Sequence, residues 1–176
     1  MRSRPVRLAL VIVAVVVAQM AILVHLVVLG AHPEVIWLVP VAAGLLSGAE
    51  LGASLGFAAG LAVDLFVPTP FGLTALVACL VGFTCGRLAE GGMDAAGAGG
   101  LVLPGVAVVA TAASVVVYPL LGAILGQTQM LHINWVGIVV VTTVANVVLA
   151  IPIAALVRWG IGDEEPAARK AVTQGW

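Results

Sequence analysis

From Leu8 to Leu29 the chain runs without a single Asp, Glu, Lys or Arg. A helix needs about 20 apolar residues to cross a hydrocarbon core about 30 Å thick, and this segment is long enough to do so. It has the basic start of a signal peptide, but its apolar run exceeds an h-region of about 7 to 15 residues and no small-x-small cleavage site follows. A retained first membrane span is expected. Further apolar segments lie at 35–49, 51–67, 71–87, 101–125 and 136–157. The breaks between them carry turn chemistry: prolines at 33, 68 and 70, a glycine-rich run at 90–100 and a polar run at 126–134. Composition agrees, with 62% apolar and 9% charged residues and a mean hydropathy of +1.24, against about 25% charged in soluble domains. The expected fold is an all-α membrane protein, a compact bundle of six transmembrane helices. One domain covers 1–162, and a short polar tail at 163–176 is expected to be disordered.

The second and third segments are separated only by Gly48, Glu50 and Gly52, so residues 35–67 read either as two crossings or as one broken helix. The basic residues decide between these readings, because Lys and Arg in short loops stay on the cytoplasmic side. Six crossings put Arg2, Arg4, Arg7, Arg87, Arg158, Arg169 and Lys170 all inside, with both termini cytoplasmic; five crossings put four of these seven outside. Six crossings therefore fit better. Their cost falls on the second segment, which at 1.5 Å per residue reaches only about 22 Å.

Gly44, Gly48, Gly52, Gly56, Gly60 and Asp64 follow one another at intervals of four. On a helix such a row drifts by about 40° per step, so Gly52, Gly56, Gly60 and Asp64 share one stripe. Small residues at this spacing let membrane helices approach closely. The same groove would also suit a ligand, so the glycines alone do not separate packing from binding. Asp64 stands at the end of this stripe, an acid within an apolar stretch. Intramembrane acids mark functional sites by default. The plainer role is to accept hydrogen bonds from N–H groups at the start of the next helix, around residues 69–72, where the helix dipole favours negative charge. A proton relay would need a basic partner that the other spans do not offer.

The remaining polar positions point to packing. Gln19 and His25 in the first span, and Thr142, Thr143 and Asn146 in the last, are expected to hydrogen-bond between helices. Trp37, Trp135 and Trp159 fall near segment ends, as in an aromatic belt. Pro104, Pro119 and Pro152 suggest kinks, and Cys79 and Cys85 face away from each other as packing residues. No nucleophile-plus-base pairing, Gly-x-Ser-x-Gly elbow or phosphate loop is evident, so no enzyme activity, cofactor or metal is expected. The net charge of -1 gives no sign of a nucleic-acid partner.

The stretch 52–83, a glycine-spaced helix followed by an acid, a Pro-x-Gly turn and a leucine-bearing helix, resembles the signature of the MreD family of bacterial rod shape-determining membrane proteins. Gly56, Gly60, Asp64, Pro70, Gly72, Leu76 and Gly82 fall on that pattern. It covers about a fifth of the chain, and the rest matches only in length and hydropathy. The resemblance implies a scaffold subunit of the cell-elongation complex in the cytoplasmic (inner) membrane. Its partners would be an MreC-like protein and, beyond it, MreB, RodA and a penicillin-binding transpeptidase. Gly52, Gly56, Gly60, Asp64, Pro70 and Gly72 are the candidate packing or partner-binding residues. The alternative is a substrate-binding subunit of a vitamin-uptake transporter, like the S-components of energy-coupling-factor transporters, which share this topology. For that role Trp37, Trp135, His32, His132 and Asn134 are the candidate ligand contacts.

Overall fold

The computed structural model describes residues 3–21, 23–25, 34–92, 102–126 and 135–162. Arg2, His32, His132, Asn134, Arg169, Lys170 and the tail at 163–176 lie outside them. The described residues form six α-helices and one 3₁₀ turn, with no strand: α1 Ser3–Ala21, the turn Leu23–His25, α2 Leu38–Ser47, α3 Ala49–Asp64, α4 Leu73–Glu90, α5 Val102–Ile124 and α6 Trp135–Ile161. Four of them, α1, α4, α5 and α6, are long and apolar enough to cross a membrane. The chain is an all-α membrane protein.

Helix ends differ from the sequence expectation most in α1, which starts at Ser3 rather than Leu8 and so carries Arg4 and Arg7 on its first turns. The possible single helix over 35–67 is broken at Gly48, whose φ of 93° and ψ of 179° end α2 and begin α3. A residue with a side chain strains at that φ, whereas glycine adopts it freely. Pro119 and Pro152 sit inside the continuous helices α5 and α6. Pro104 falls in the first turn of α5, where a missing N–H costs no intrahelical bond.

Contacts fix the direction of each helix. A methyl group built on Gly52 would lie 2.6 Å from Gly44 Cα, and one on Gly56 would lie 2.9 Å from Pro40 Cβ, so α2 and α3 form an antiparallel hairpin. Gly60 meets Ala75 and Gly56 meets Ala78, which makes α3 and α4 antiparallel as well. Val35 N–H donates to Gln19 Oε1 at 3.0 Å, placing the end of α1 beside the start of α2. Tyr118 of α5 meets Trp37 and Thr74, and Arg7 of α1 meets Trp159 of α6. Successive helices therefore alternate in direction. Arg4, Arg7, Arg87 and Arg158, the arginines among the described residues, gather at the end that holds Gly48, and Asp64 lies at the other.

The short helix α2 is the centre of the bundle. It touches α3, α4, α5 and α6, and every residue from Val35 to Leu45 is buried. A helix apolar on all sides belongs in such a place. Because protein encloses it, its length need not match the hydrocarbon thickness, and the mismatch weighed from sequence does not arise for it. Trp37 departs from the aromatic-belt expectation for the same reason: it is 2% exposed and packs edge-to-face on Tyr118, with ring centroids 6.1 Å apart. Trp159 is exposed.

Candidate functional site

The seam between α3 and α4 is made of small residues from both helices. Gly52, Gly56 and Gly60 on α3 face Gly82, Ala78 and Ala75 on α4, and Gly86 faces Ala49. At Gly52, Gly56, Gly82 and Gly86 an added methyl group would collide with backbone atoms of the other helix. Gly44 of α2 enters the same junction, where a methyl group would lie 2.5 Å from Gly82 O and 2.8 Å from Gly86 N. Three helices thus meet at backbone-to-backbone distance. Such closeness strengthens dispersion contacts where the hydrophobic effect gives no net drive between helices.

Asp64 closes one end of this seam. It is the last residue of α3, a position where its charge opposes the negative end of its own helix dipole. It lies instead at the positive end of α4. Its Oδ2 accepts from Gly72 N–H at 2.9 Å and from Ala75 N–H at 3.2 Å, and Oδ1 accepts from Thr74 N–H at 3.2 Å. Of the segment 69–72 only Gly72 donates; the other two donors belong to α4 itself. The reason is local. Gly72 is the capping residue of α4 and holds φ at 92°, which favours glycine and leaves the helix start with no side chain of its own to cap it. Asp64 supplies the missing acceptor from eight residues earlier. Pro70 completes the turn, its carbonyl accepting from Leu73 N–H at 3.0 Å.

The other end of the seam repeats the device. Glu90, the last residue of α4, accepts from Ala49 N–H at 2.9 Å through Oε1 and pairs with Arg87 at 3.2 Å through Oε2. Ala49 begins α3 after Gly48, again a positive-φ glycine without a capping side chain. Each helix therefore ends in a carboxylate that caps the start of the other. Sequence reading ends the fourth segment at residue 87 and so leaves Glu90 in the glycine-rich break, where nothing marks it as an acid in a helix's last turn.

Beyond Asp64 lies a short polar and aromatic chain. The Thr74 hydroxyl is 3.5 Å from that of Tyr118, Tyr118 packs on Trp37, and the Trp37 indole N–H donates to Glu34 Oε2 at 2.8 Å. A separate polar pair lies midway along α5 and α6, where Asn146 Nδ2 donates to Thr111 Oγ1 at 2.7 Å with both residues fully buried. Thr142 Oγ1 and Asn146 Oδ1 have no partner there.

The sequence is expected to hold no Gly-x-Ser-x-Gly elbow, yet the pentapeptide Gly52-Ala53-Ser54-Leu55-Gly56 has that spelling. In hydrolases that spelling marks a strand-to-helix elbow that exposes the serine. Here Ser54 is in the middle of α3, and its hydroxyl donates to Glu50 O at 2.7 Å. It forms no such elbow. Among the described residues no three His, Cys, Asp or Glu side chains are grouped to hold a metal ion, and Cys79 and Cys85 are free thiols. Comparison with protein-family models, with curated proteins and with solved structures returns no match.

Proposed function

We propose that the chain is a non-enzymatic scaffold subunit of MreD type in the bacterial cell-elongation complex, crossing the inner membrane six times with both termini cytoplasmic. It packs against an MreC-like protein and through it serves MreB, RodA and the transpeptidase of peptidoglycan synthesis. The observation that carries this reading is the corner from Gly52 to Gly82. Most of the residues that resemble the MreD signature meet at one corner, in which Gly56, Gly60 and Gly82 seat α3 on α4 and both oxygens of Asp64 are spent on α4 N–H groups. An element devoted to holding helices in register suits a protein that works by presenting a fixed surface. The alternating helix directions and the gathering of Arg4, Arg7, Arg87 and Arg158 at one end support six crossings with that end inside. The vitamin-capture reading would need Trp37 open to a ligand, but its indole is buried and already bonded to Glu34.

The test is co-expression of the tagged chain with the MreC-like protein of the same genome, followed by detergent extraction and capture. A one-to-one complex is expected. Capture of a transporter ATPase pair in its place would sink the proposal.

A further inference from the structure

The buried centre of the α5–α6 pair holds more polar groups than it pairs. Asn146 Nδ2 donates to Thr111 Oγ1 at 2.7 Å, and Ser114 Oγ donates to Ala110 O at 2.7 Å. Asn146 Oδ1 and Thr142 Oγ1 are left with no protein partner, and all four polar side chains are 0% exposed. Turning the Asn146 amide over only exchanges an unpaired carbonyl for an unpaired N–H. Thr142 and Asn146, four apart, share a face of α6 with Cβ atoms about 5–6 Å apart. Because the helices are antiparallel, the Thr111–Asn146 bond sets Val115, four residues further along α5, at the level of Thr142. Val115 is buried, and Pro119, one turn on, has no N–H to give its carbonyl. Two acceptors and one hydroxyl thus come to the same stretch of the seam.

We propose that this stretch is a binding site for a single water molecule shared between α5 and α6. The water donates to Asn146 Oδ1 and to the Val115 carbonyl, and it accepts from the Thr142 hydroxyl. Buried waters make about three hydrogen bonds, to polar groups the protein leaves unsatisfied. Ordered water is also one of the ways in which a membrane helix satisfies a carbonyl freed by proline. Enclosure sets the size of the occupant: with every polar side chain of the cluster fully buried, only a water or a bare cation is small enough. The small residues Ala107, Ala110 and Ala150, buried within a turn of the Thr111–Asn146 pair, keep bulkier side chains off it. A cation suits the chemistry less well. It cannot accept the Thr142 proton, and it would bring a charge to neutral ligands in mid-membrane. Membrane cation sites also draw on unwound backbone, whereas α5 and α6 run unbroken through this level. The site does not depend on the scaffold reading.

The test is a crystal structure of the full chain grown from a lipid mesophase, at a resolution that shows ordered water. One density peak is expected within hydrogen-bond reach, about 2.7–3.2 Å, of Asn146 Oδ1, Thr142 Oγ1 and Val115 O. Thr142→Val keeps nearly the same shape without the hydroxyl and should lose the peak. Thr142→Ser retains the hydroxyl and should keep it, as should Thr143→Val, which removes the neighbouring hydroxyl outside the Asn146 row. Pro119→Ala gives the Val115 carbonyl an N–H and should lower the occupancy. Soaking in rubidium or thallium(I) salts separates the two small occupants, because an exchanged cation scatters anomalously and water does not. No peak in wild type, an anomalous signal at the site, or a peak unchanged in both Thr142→Val and Pro119→Ala would overturn the proposal.

Discussion

Between α3 and α4 the closest approaches are backbone against backbone, at Gly52 with Gly82 and at Gly86 with Ala49. Between α5 and α6, two valine-rich helices, a side-chain hydrogen bond joins Asn146 to Thr111 in the buried centre, beside two polar atoms with no partner. Both pairs are antiparallel, yet they tolerate change differently. A seam of glycines cannot absorb added volume, because what stands in the way is the neighbouring helix and not a rotatable side chain. A seam of side chains can repack. The first pair is built for one geometry and the second for accommodation.

The sharpest way to break this contrast is Gly52→Leu. Overpacking a close-packed interior costs about 1–3 kcal/mol when neighbours can shift. With backbone as the obstacle we expect the upper part of that range or beyond, read as loss of the folded species in a detergent melt. A neutral result would show that α3 and α4 stand further apart than described. Next comes Asp64→Ala, which leaves the N–H groups of Gly72, Thr74 and Ala75 at the start of α4 without their acceptor. An unsatisfied buried donor costs about 1–3 kcal/mol and a lost N-cap about 0.5–2 kcal/mol, so a total of about 2–4 kcal/mol is expected. Asp64→Asn keeps one acceptor oxygen and should lose less. If instead both variants melted like wild type but failed to capture the MreC-like protein, Asp64 would belong to the partner and not to the corner. The smallest effect is expected for Asn146→Leu. Interhelical hydrogen bonds in membranes average about 0.6 kcal/mol, and the change also removes an unpartnered acceptor. A shift of less than about 1 kcal/mol in either direction should be seen, and a larger loss would show that the α5–α6 pair is as exacting as α3–α4.

The α3 stripe was legible because its period is regular and lies within one helix. Its counterpart on α4, Ala75, Ala78, Gly82 and Gly86, steps by three, four and four, and it stands out only once the facing row is known. Asp64 was legible as an anomaly in an apolar stretch, but its donors required knowing that α4 starts with a glycine in the left-handed region and so lacks its own cap. Glu90 was hidden by its surroundings: next to a glycine-rich run it reads as a solvated loop residue. The Thr111 partner of Asn146 was out of reach, because the register between two valine-rich helices follows from packing and not from pattern. The burial of Trp37 depends on four helices enclosing α2, which no local window records.

That enclosure bears on how the protein is made. A ten-residue helix extends about 15 Å, half of what a lone span needs, and its partners α3 to α6 all follow it along the chain. When α2 leaves the ribosome nothing yet exists to surround it. It must enter the bilayer together with α3, folded back at Gly48, and wait there for α4 to arrive and seal the glycine junction. The most deeply buried helix of the finished bundle is therefore made before any of the four helices that enclose it.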